Sequence, residues 1–449
     1  LKTFDEYSVD TNKILNNMHS FMTKNDKMRF MWAEFVFFER WWKDQTDQVK
    51  NDIRELVKKG NLEFASGSWV MTDEANAYFP ISVDNIIEGH QFLQREFGQL
   101  PSVVWSNDPF GYSNSVPYLF TQAGIKRSVI NRIHHSIKQH LQKQRAIPFK
   151  WRQYFDNTSD MLTQVLPYTH YDILNSCGPN AGSCCQFDFK RITHWSCPGP
   201  KPTNITSSNV QEKSKLLIDQ LRQMSSMYEA PVMLMMHGDD FRFDMIQEWH
   251  QHHDNFLPLF EEINKGDQVE ISFGTFSDYF NELEKWYGNN SSPATVTGDF
   301  FPYMCALGDY WTGYYTTRPF YKKQGRQTHH LIRTADLLVG EASNISSFDR
   351  KKAFDDLTKA RRILSLFQHH DAITGTSKVH VMKDYSKLLF DASNIAKSVI
   401  EDATRAIGED DQKIKVIEYA IKVDENIVKT LLNIQSNNEI HVSIYNSLP

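Results

Sequence analysis

The opening segment places apolar residues at helical spacing, at Phe4, Tyr7, Ile14, Leu15, Met18 and Phe21. This pattern predicts an amphipathic helix from residue 4 to about residue 24. A compact block, Met28-Arg29-Phe30-Met31-Trp32-Ala33, then reads as a strand ending in Glu34. A long amphipathic helix is predicted from there to about residue 59, stopped by Gly60 in the manner of a C-cap. The alternation continues with predicted strands at 62–66, 102–105, 126–131, 161–166, 232–236 and 269–273. Helical patterns fall at 82–97, through Leu119, at 210–228 and at about 245–264. About seven strands alternating with helices argue for an α/β fold, a seven-stranded parallel sheet curled into a (β/α) barrel-like domain.

The texture changes near Arg318. Strand patterns give way to helical ones at roughly 327–341, 348–368 and 383–404, which predicts a three-helix bundle. From about residue 412 the pattern is strand-like again, and Ile440-His441-Val442-Ser443-Ile444-Tyr445 alternates. The expected organisation is a catalytic α/β domain at 1–317, a helix bundle at 318–410 and the start of a β-sandwich domain at 411–449.

The polar residues at the strand ends carry the functional signal. Ser102-Val103-Val104-Trp105 stops abruptly at Asn107-Asp108-Pro109, and Pro109 and Gly111 impose a turn. Asp108 alone would serve equally well as a helix N-cap. However, Glu34, Asp108, Arg132, Tyr171, Asp239 and Asp240 all fall at, or just past, the carboxyl ends of predicted strands. In open sheets and barrels that rim is where ligands bind. The turn at 368–376 adds His369, His370 and Asp371, a metal- or sugar-binding candidate.

Composition narrows the classes. With 449 residues and a net charge of −6 that is spread out, the chain can bury a large core and shows no nucleic-acid footprint. No apolar run reaches the ~20 residues needed to span a bilayer. Aromatic residues are plentiful and suit both cores and the apolar faces of sugars. Four of the five cysteines cluster at Cys177, Cys184, Cys185 and Cys197, in a Gly/Pro-rich segment without zinc-ribbon spacing. A loop stapled by two disulfides in an oxidising compartment fits, and free thiols in a cytosolic loop are the competing reading. Glycosylation sequons occur at Asn157, Asn204, Asn289, Asn290 and Asn344.

Two carboxylates on one rim, Asp108 and one of Asp239/Asp240, suit glycoside hydrolysis, one as nucleophile or base and the other as acid. A pair about 5–5.5 Å apart would imply retention of configuration. Burial and like charge would keep one member of the Asp pair protonated. Asp108 and His370 also offer donors of the kind zinc accepts, although two ligands are too few for a tight site.

Trp105–Ser113, Asn131-Arg132-Ile133-His134-His135, Trp151-Arg152-Gln153 and Tyr171-Asp172-Ile173 resemble the zinc-dependent α-mannosidases of glycoside hydrolase family 38. So do Cys184-Cys185-Gln186-Phe187-Asp188-Phe189, Gly238-Asp239-Asp240-Phe241-Arg242, Tyr310-Trp311-Thr312-Gly313-Tyr314 and the 368–376 turn. The resemblance runs essentially end to end. The cysteine segment favours the Golgi α-mannosidase II branch over the lysosomal one. The resemblance implies Asp108 as nucleophile and zinc ligand, Asp240 as acid/base with Asp239 beside it, and His370 as a second zinc ligand. Asp371 would bond sugar hydroxyls, Phe110 and Trp311 would wall the ring, and Arg132 and Tyr171 would position substrate and Asp108. It also implies disulfides Cys177–Cys184 and Cys185–Cys197, with Cys305 unpaired. The expected substrate is an N-linked oligosaccharide on glycoproteins, cleaved at α-1,3/α-1,6-linked mannose in the secretory lumen. Membrane attachment would come only from an upstream anchor, and a homodimer is compatible with the pattern.

The sequence departs from the family in several places. The family's His-Ser-His-Asn-Asp-Pro-Gly-Trp motif, with two further zinc ligands, would precede Leu1, so a truncated chain is expected. Tyr112 stands where His is usual, Asn107 where an aliphatic residue is usual, and Cys305 where the Golgi branch has Asp. A mannose-binding pseudoenzyme or inactive fragment is one alternative. A metal-dependent polysaccharide deacetylase is another, but it would need a His-x-x-x-His pair, which is not found near Asp108.

Overall fold

The computed structural model describes residues 1–193, 196–408 and 445; apart from Tyr445, the expected β-sandwich start at 411–449 lies outside the described residues. The chain forms two compact units. One comprises Phe4–Ala75 and Gly89–Thr312; the other comprises Leu1–Thr3, Asn76–Glu88 and the described part of Gly313–Pro449.

In the first unit, β1 (Phe30–Trp32) and β2 (Leu62–Phe64) pair in parallel. A second sheet contains β3 (Val104–Ser106), β4 (Arg127–Ile130), β5 (Phe149–Arg152), β6 (Met161–Val165) and β7 (Thr295–Thr297) in the order β3-β4-β6-β5-β7. β3, β4 and β6 run parallel, and β5 is antiparallel to β6 but parallel to β7. Ser66 links the two sheets. Its N–H donates to Val103 O at 2.8 Å, and its hydroxyl accepts from Trp105 N–H at 2.8 Å. A short hairpin, β8 (Met304–Ala306) and β9 (Asp309–Tyr310), follows.

The mixed α/β architecture with a parallel-strand sheet is therefore present, but the seven-stranded parallel barrel is corrected. The expected strands at 232–236 and 269–273 have no ladder among the described residues. Their side-chain pattern is nevertheless that of extended chain. Met233 and Met235 pack on one core cluster, and Val232, Leu234 and Met236 on another. Alternation needs only an extended backbone, whereas a ladder needs a neighbouring strand at about 4.8 Å. At 269–273 a side chain takes the ladder's place. Asn264 Nδ2 donates to Ile271 O, and Ile271 N–H donates to Asn264 Oδ1, both at 2.9 Å.

The expected helix at 35–59 is two helices, Phe35–Lys43 and Asp47–Lys58. Thr46 caps the second through Val49 N–H, a polar start that the continuous apolar stripe obscures. Helix Phe276–Asn290, not anticipated, opens on a Thr275/Asp278 capping box and buries Phe276, Tyr279, Phe280 and Leu283 on the sheet. Successive residues of β4, Val129 and Ile130, enter different clusters, so the sheet is covered on both faces.

In the second unit, helices Pro319–Ala342, Arg350–Phe367 and Val379–Gly408 pack together. Alanines line the seams, with Ala335, Ala360, Ala392 and Ala396 fully buried. Glu88 bonds Arg361 and Arg362 at 2.9 and 3.0 Å, and Arg361 also bonds Asp336 at 2.8 Å. Burial, reinforced by the Asp336 charge, pushes Asp84 up to about 7. No helix among the described residues is long and apolar enough to cross a membrane.

Gly89, in helix Phe79–Phe97, sits against the backbone of Gly67. A Cβ there would lie 1.9 Å from Gly67 O, and backbone cannot rotate away as a side chain can. Gly89→Ala is expected to destabilise by about 3 kcal/mol, the upper end of ordinary overpacking. Denaturant unfolding checks this; an unchanged midpoint would contradict the close approach.

Candidate active site

The parallel register pairs Ser106 with Ile130. Asp108 and Arg132 lie two residues beyond those partners, so the register brings them opposite one another. Arg132 Nε donates to Asp108 Oδ1 at 2.6 Å, and its Nη2 makes a second contact with the same oxygen. Both side chains are largely shielded from solvent. Burial works against the guanidinium's charge, but Asp108 and the Tyr303 hydroxyl outweigh it and hold the Arg132 pKa above its ordinary value.

The loop carrying Asp108 is fixed by its own next turn. Gly111 adopts φ +94°, and a Cβ there would lie 2.6 Å from the Phe301 ring, so only glycine fits. Gly111 N–H donates to Arg132 O at 3.1 Å. Tyr112 is fully buried. Its hydroxyl donates to Ser106 O at 2.7 Å and accepts from Asn131 N–H at 2.9 Å and Arg132 N–H at 3.1 Å. The phenol thus stitches the ends of β3 and β4 together. Ser113 N–H and hydroxyl both donate to Glu74, at 2.7 and 3.3 Å. Burial pushes the Glu74 carboxyl up to about 8.

Arg132 is enclosed by rings. Its guanidinium lies 5.3 Å from the Trp311 centroid, 5.6 Å from Phe110 and 5.9 Å from each of Tyr171 and Tyr303. Phe110 and Tyr303 both contact Trp311, with centroids 5.1 and 5.3 Å away. Behind Arg132, Lys138 is buried and donates to Asn131 Oδ1 and Tyr168 O. Burial, with the Arg132 charge, brings its ammonium down to about 7.

Tyr171 connects this group to the second carboxylate pair. Its hydroxyl donates to Asp240 Oδ1 at 2.8 Å, and its ring stacks on His170 at 4.2 Å. Burial, then the charges of Asp108 and Asp240, hold its phenol far above the ordinary tyrosine range, so it stays a donor. Asp240 is exposed, Asp239 half-buried, and Asp240 N–H donates to Asp239 Oδ1 at 2.8 Å. Burial raises the Asp239 carboxyl above its ordinary value, against the opposing pull of the Asp240 N–H bond.

Asp108, Phe110, Arg132, Tyr171, Trp311 and Asp240 thus form one connected group, with Asp239 beside it. His370 and Asp371 belong to the helical unit. There they lie with His369, and ligand atoms of the three fall within 4.8 Å of one another. Imidazole nitrogen and carboxylate oxygen are zinc donors, so the chemistry of this triad fits such an ion. The cysteines form disulfides Cys177–Cys184 and Cys185–Cys197, and Cys305 is free, its thiol donating to Asp309 Oδ2 at 2.8 Å.

The N-terminal domain of glycosyl hydrolases family 38 matches residues 1–306, and the alpha mannosidase middle domain matches residues 309–407. The chain belongs to glycosyl hydrolase family 38. Among family relatives, alpha-mannosidase 2 of Rattus norvegicus is 39% identical over 433 residues, covering 92% of this chain and 38% of that protein. Alpha-mannosidase 2x of Mus musculus is 40% identical over 432 residues, with the same coverages. The chain therefore spans well under half the length of these relatives. An alpha-mannosidase from Enterococcus faecalis V583 shares the fold, with a TM-score of 0.68 at 14% identity over 91% of this chain and 41% of that one.

Reading the strand ends alone missed Tyr303, Glu74 and Lys138. Tyr303 follows Phe300-Phe301-Pro302 and lies eight residues before Trp311, an aromatic clustering that was the available signal. Glu74 and Lys138 gave none, because their burial is a product of tertiary packing.

Two outcomes follow. Tyr112→Phe leaves a carbonyl and two N–H groups without their buried partner and should cost about 1–3 kcal/mol, measured by denaturant unfolding; an unchanged midpoint would mean the hydroxyl carries no such weight. Glu74 binds its proton up to about pH 8 when folded, above the ordinary 4.5 of a glutamate. Its contribution to stability is therefore full below about 4.5 and is lost as pH rises towards about 8. Glu74→Gln should flatten that loss in melting temperatures followed across the same window; parallel profiles would count against a buried proton there.

Proposed function

We propose that this chain is the catalytic portion of a retaining α-mannosidase that removes α-1,3/α-1,6-linked mannose from N-glycans. One observation carries the reading: Asp108, paired with Arg132 among aromatic rings, is joined through Tyr171 to the Asp239–Asp240 turn. This supports two carboxylates with separate duties.

Asp108 is the nucleophile. The Arg132 cation, bonded to it at 2.6 Å, stabilises its charge as it leaves the sugar. Asp240 is the general acid/base, oriented by the Tyr171 hydroxyl. Asp239, whose carboxyl burial raises above its ordinary value, stands beside it and accepts the Asp240 N–H. In the first step a carboxylate oxygen of Asp108 bonds to the anomeric carbon while the departing oxygen takes a proton from Asp240. In the second, Asp240 takes a proton from water, whose oxygen displaces Asp108 and restores the original configuration. Phe110, Trp311 and Tyr303 offer apolar walls for the sugar's C–H faces.

Zinc is part of the proposal. His370, with His369 and Asp371 beside it, supports a donor set for that ion; a bound zinc would act as a Lewis acid gripping vicinal hydroxyls. We place the protein in the secretory lumen, in the Golgi. The two disulfides and the exposure of Asn157, Asn204, Asn289, Asn290 and Asn344 support that compartment. The domain reading accompanies it, with catalysis in 1–317 and a helix bundle at 318–410.

The test uses the complete protein that carries this chain. NMR should show the α-anomer of mannose as first product, and Asp108→Asn should abolish its release. Asp240→Ala should lose about 10²–10⁴-fold on a natural mannoside, yet much less on an aryl mannoside whose leaving group needs no proton. An inverted product, or an Asp108→Asn variant that still turns over, would overturn the assignment.

A further inference from the structure

The turn that carries Asp239 and Asp240 is built in an unfavourable way. Phe241 and Phe243 both have positive φ, +55° and +68°. Bulky residues rarely adopt that region, and a chain holds it only where its surroundings over-determine it. The turn closes through Arg242 N–H to Asp239 O at 3.3 Å.

The surroundings are a buried ionic cluster. Arg242 donates to both oxygens of Asp188, from Nη2 at 2.5 Å and Nη1 at 3.0 Å, and from Nε to Glu248 at 2.5 Å. Phe243 N–H donates to the other Glu248 oxygen at 2.7 Å, and Lys190 pairs with that same oxygen at 2.9 Å. Asp188, Arg242 and Glu248 are almost wholly withdrawn from solvent. The near side of the turn is held as well. His237 Nε2 meets His252 Nδ1 at 2.8 Å, and His252 lies 3.6 Å from Glu248. Residues 238–241 are therefore pinned at both ends by one cluster.

Asp188 reaches the cluster from the cysteine loop. Its N–H donates to Cys185 O at 3.0 Å, and Phe187 and Phe189 on either side are fully buried. Arg191 donates to Asp188 Oδ2 and to Ser196 O, both at 2.7 Å, and Ser196 adjoins Cys197. The Cys185–Cys197 bond thus encloses the segment that aims Asp188 at Arg242.

We propose that Asp188 and Arg242 are positioning residues that hold the Asp239–Asp240 turn in its strained form, and that the Cys185–Cys197 disulfide sets Asp188 for this task. The inference rests on the assignment of Asp240 as acid/base. Arg242 fixes the turn by filling two carboxylates at once, which a lysine's single point charge does not do. Removing either partner of the pair leaves a buried charge uncompensated, and the turn relaxes toward ordinary backbone angles.

The experiment compares two mannosides, one with a poor and one with an activated leaving group, in the complete protein. Asp188→Asn and Arg242→Lys are expected to lower kcat by about tenfold on the poor substrate, a fraction of what a general acid supplies. They should leave kcat on the activated substrate within about threefold and shift the pH-rate limb that reports the acid. Cys185→Ala combined with Cys197→Ala should move both readouts in the same direction, and it remains informative if Asp188→Asn does not fold. A uniform loss on both substrates with an unshifted pH profile would reduce the cluster to a structural role and overturn the proposal. Asp240→Ala, run alongside, separates the two levels. If it shows no leaving-group dependence, the acid assignment has failed; if it does and the cluster variants do not, the positioning proposal alone has failed.

Discussion

The Asp108–Arg132 pair depends on a single constraint, the parallel register of β3 and β4. With Ser106 opposite Ile130, the two charged residues leave the sheet side by side. A slip of one residue would turn each side chain to the other face. The pair would then be lost, and with it the ring enclosure around Arg132. The hydroxyl of Tyr112, bonded to Ser106, Asn131 and Arg132, locks that register just where the ladder ends and backbone groups would otherwise be unpaired.

A buried cation and carboxylate are costly to desolvate, and such a pair is weak evidence for stability by itself. Here the cost is offset locally. Four aromatic rings lie around the guanidinium, offering their negative faces while excluding water. The same exclusion strengthens any field that Arg132 exerts on Asp108. The Asp239–Asp240 turn follows the same logic, its strained backbone being held by the ionic cluster on Asp188 and Glu248 rather than by local preference. The site thus gathers several features that do not favour folding, each supported by neighbours from distant parts of the chain.

Much of this was legible in the residues. The helical and alternating periodicities marked most elements, because burial of one face imposes its period on the sequence. The positions of Asp108, Arg132 and Tyr171 past β3, β4 and β6 were visible because strand ends are marked by abrupt changes from apolar to polar residues. Other features were not. β5 at Phe149–Arg152 sits antiparallel in an otherwise parallel run, and strand direction leaves no trace in a four-residue pattern. Segment 232–236 alternates as a strand does yet forms no ladder among the described residues, since alternation reports two buried faces and not a neighbour's hydrogen bonds.

The sequence by itself determined the α/β class of the first unit, the helical character of the second, and the family, because these follow from periodicity and from contiguous motifs. Four cysteines allow three pairings, and the one implied by the family resemblance is the one present. Other features were decided only by the tertiary structure. It decided that Glu74 and Lys138 are buried and that Tyr303 joins Arg132. The reach of Asp188 to Arg242, 54 residues away, was likewise settled there. The physical reason is common to all of these. Each is a property of long-range packing, in which burial, charge and partner are set by residues far away in the chain, and no local pattern records them.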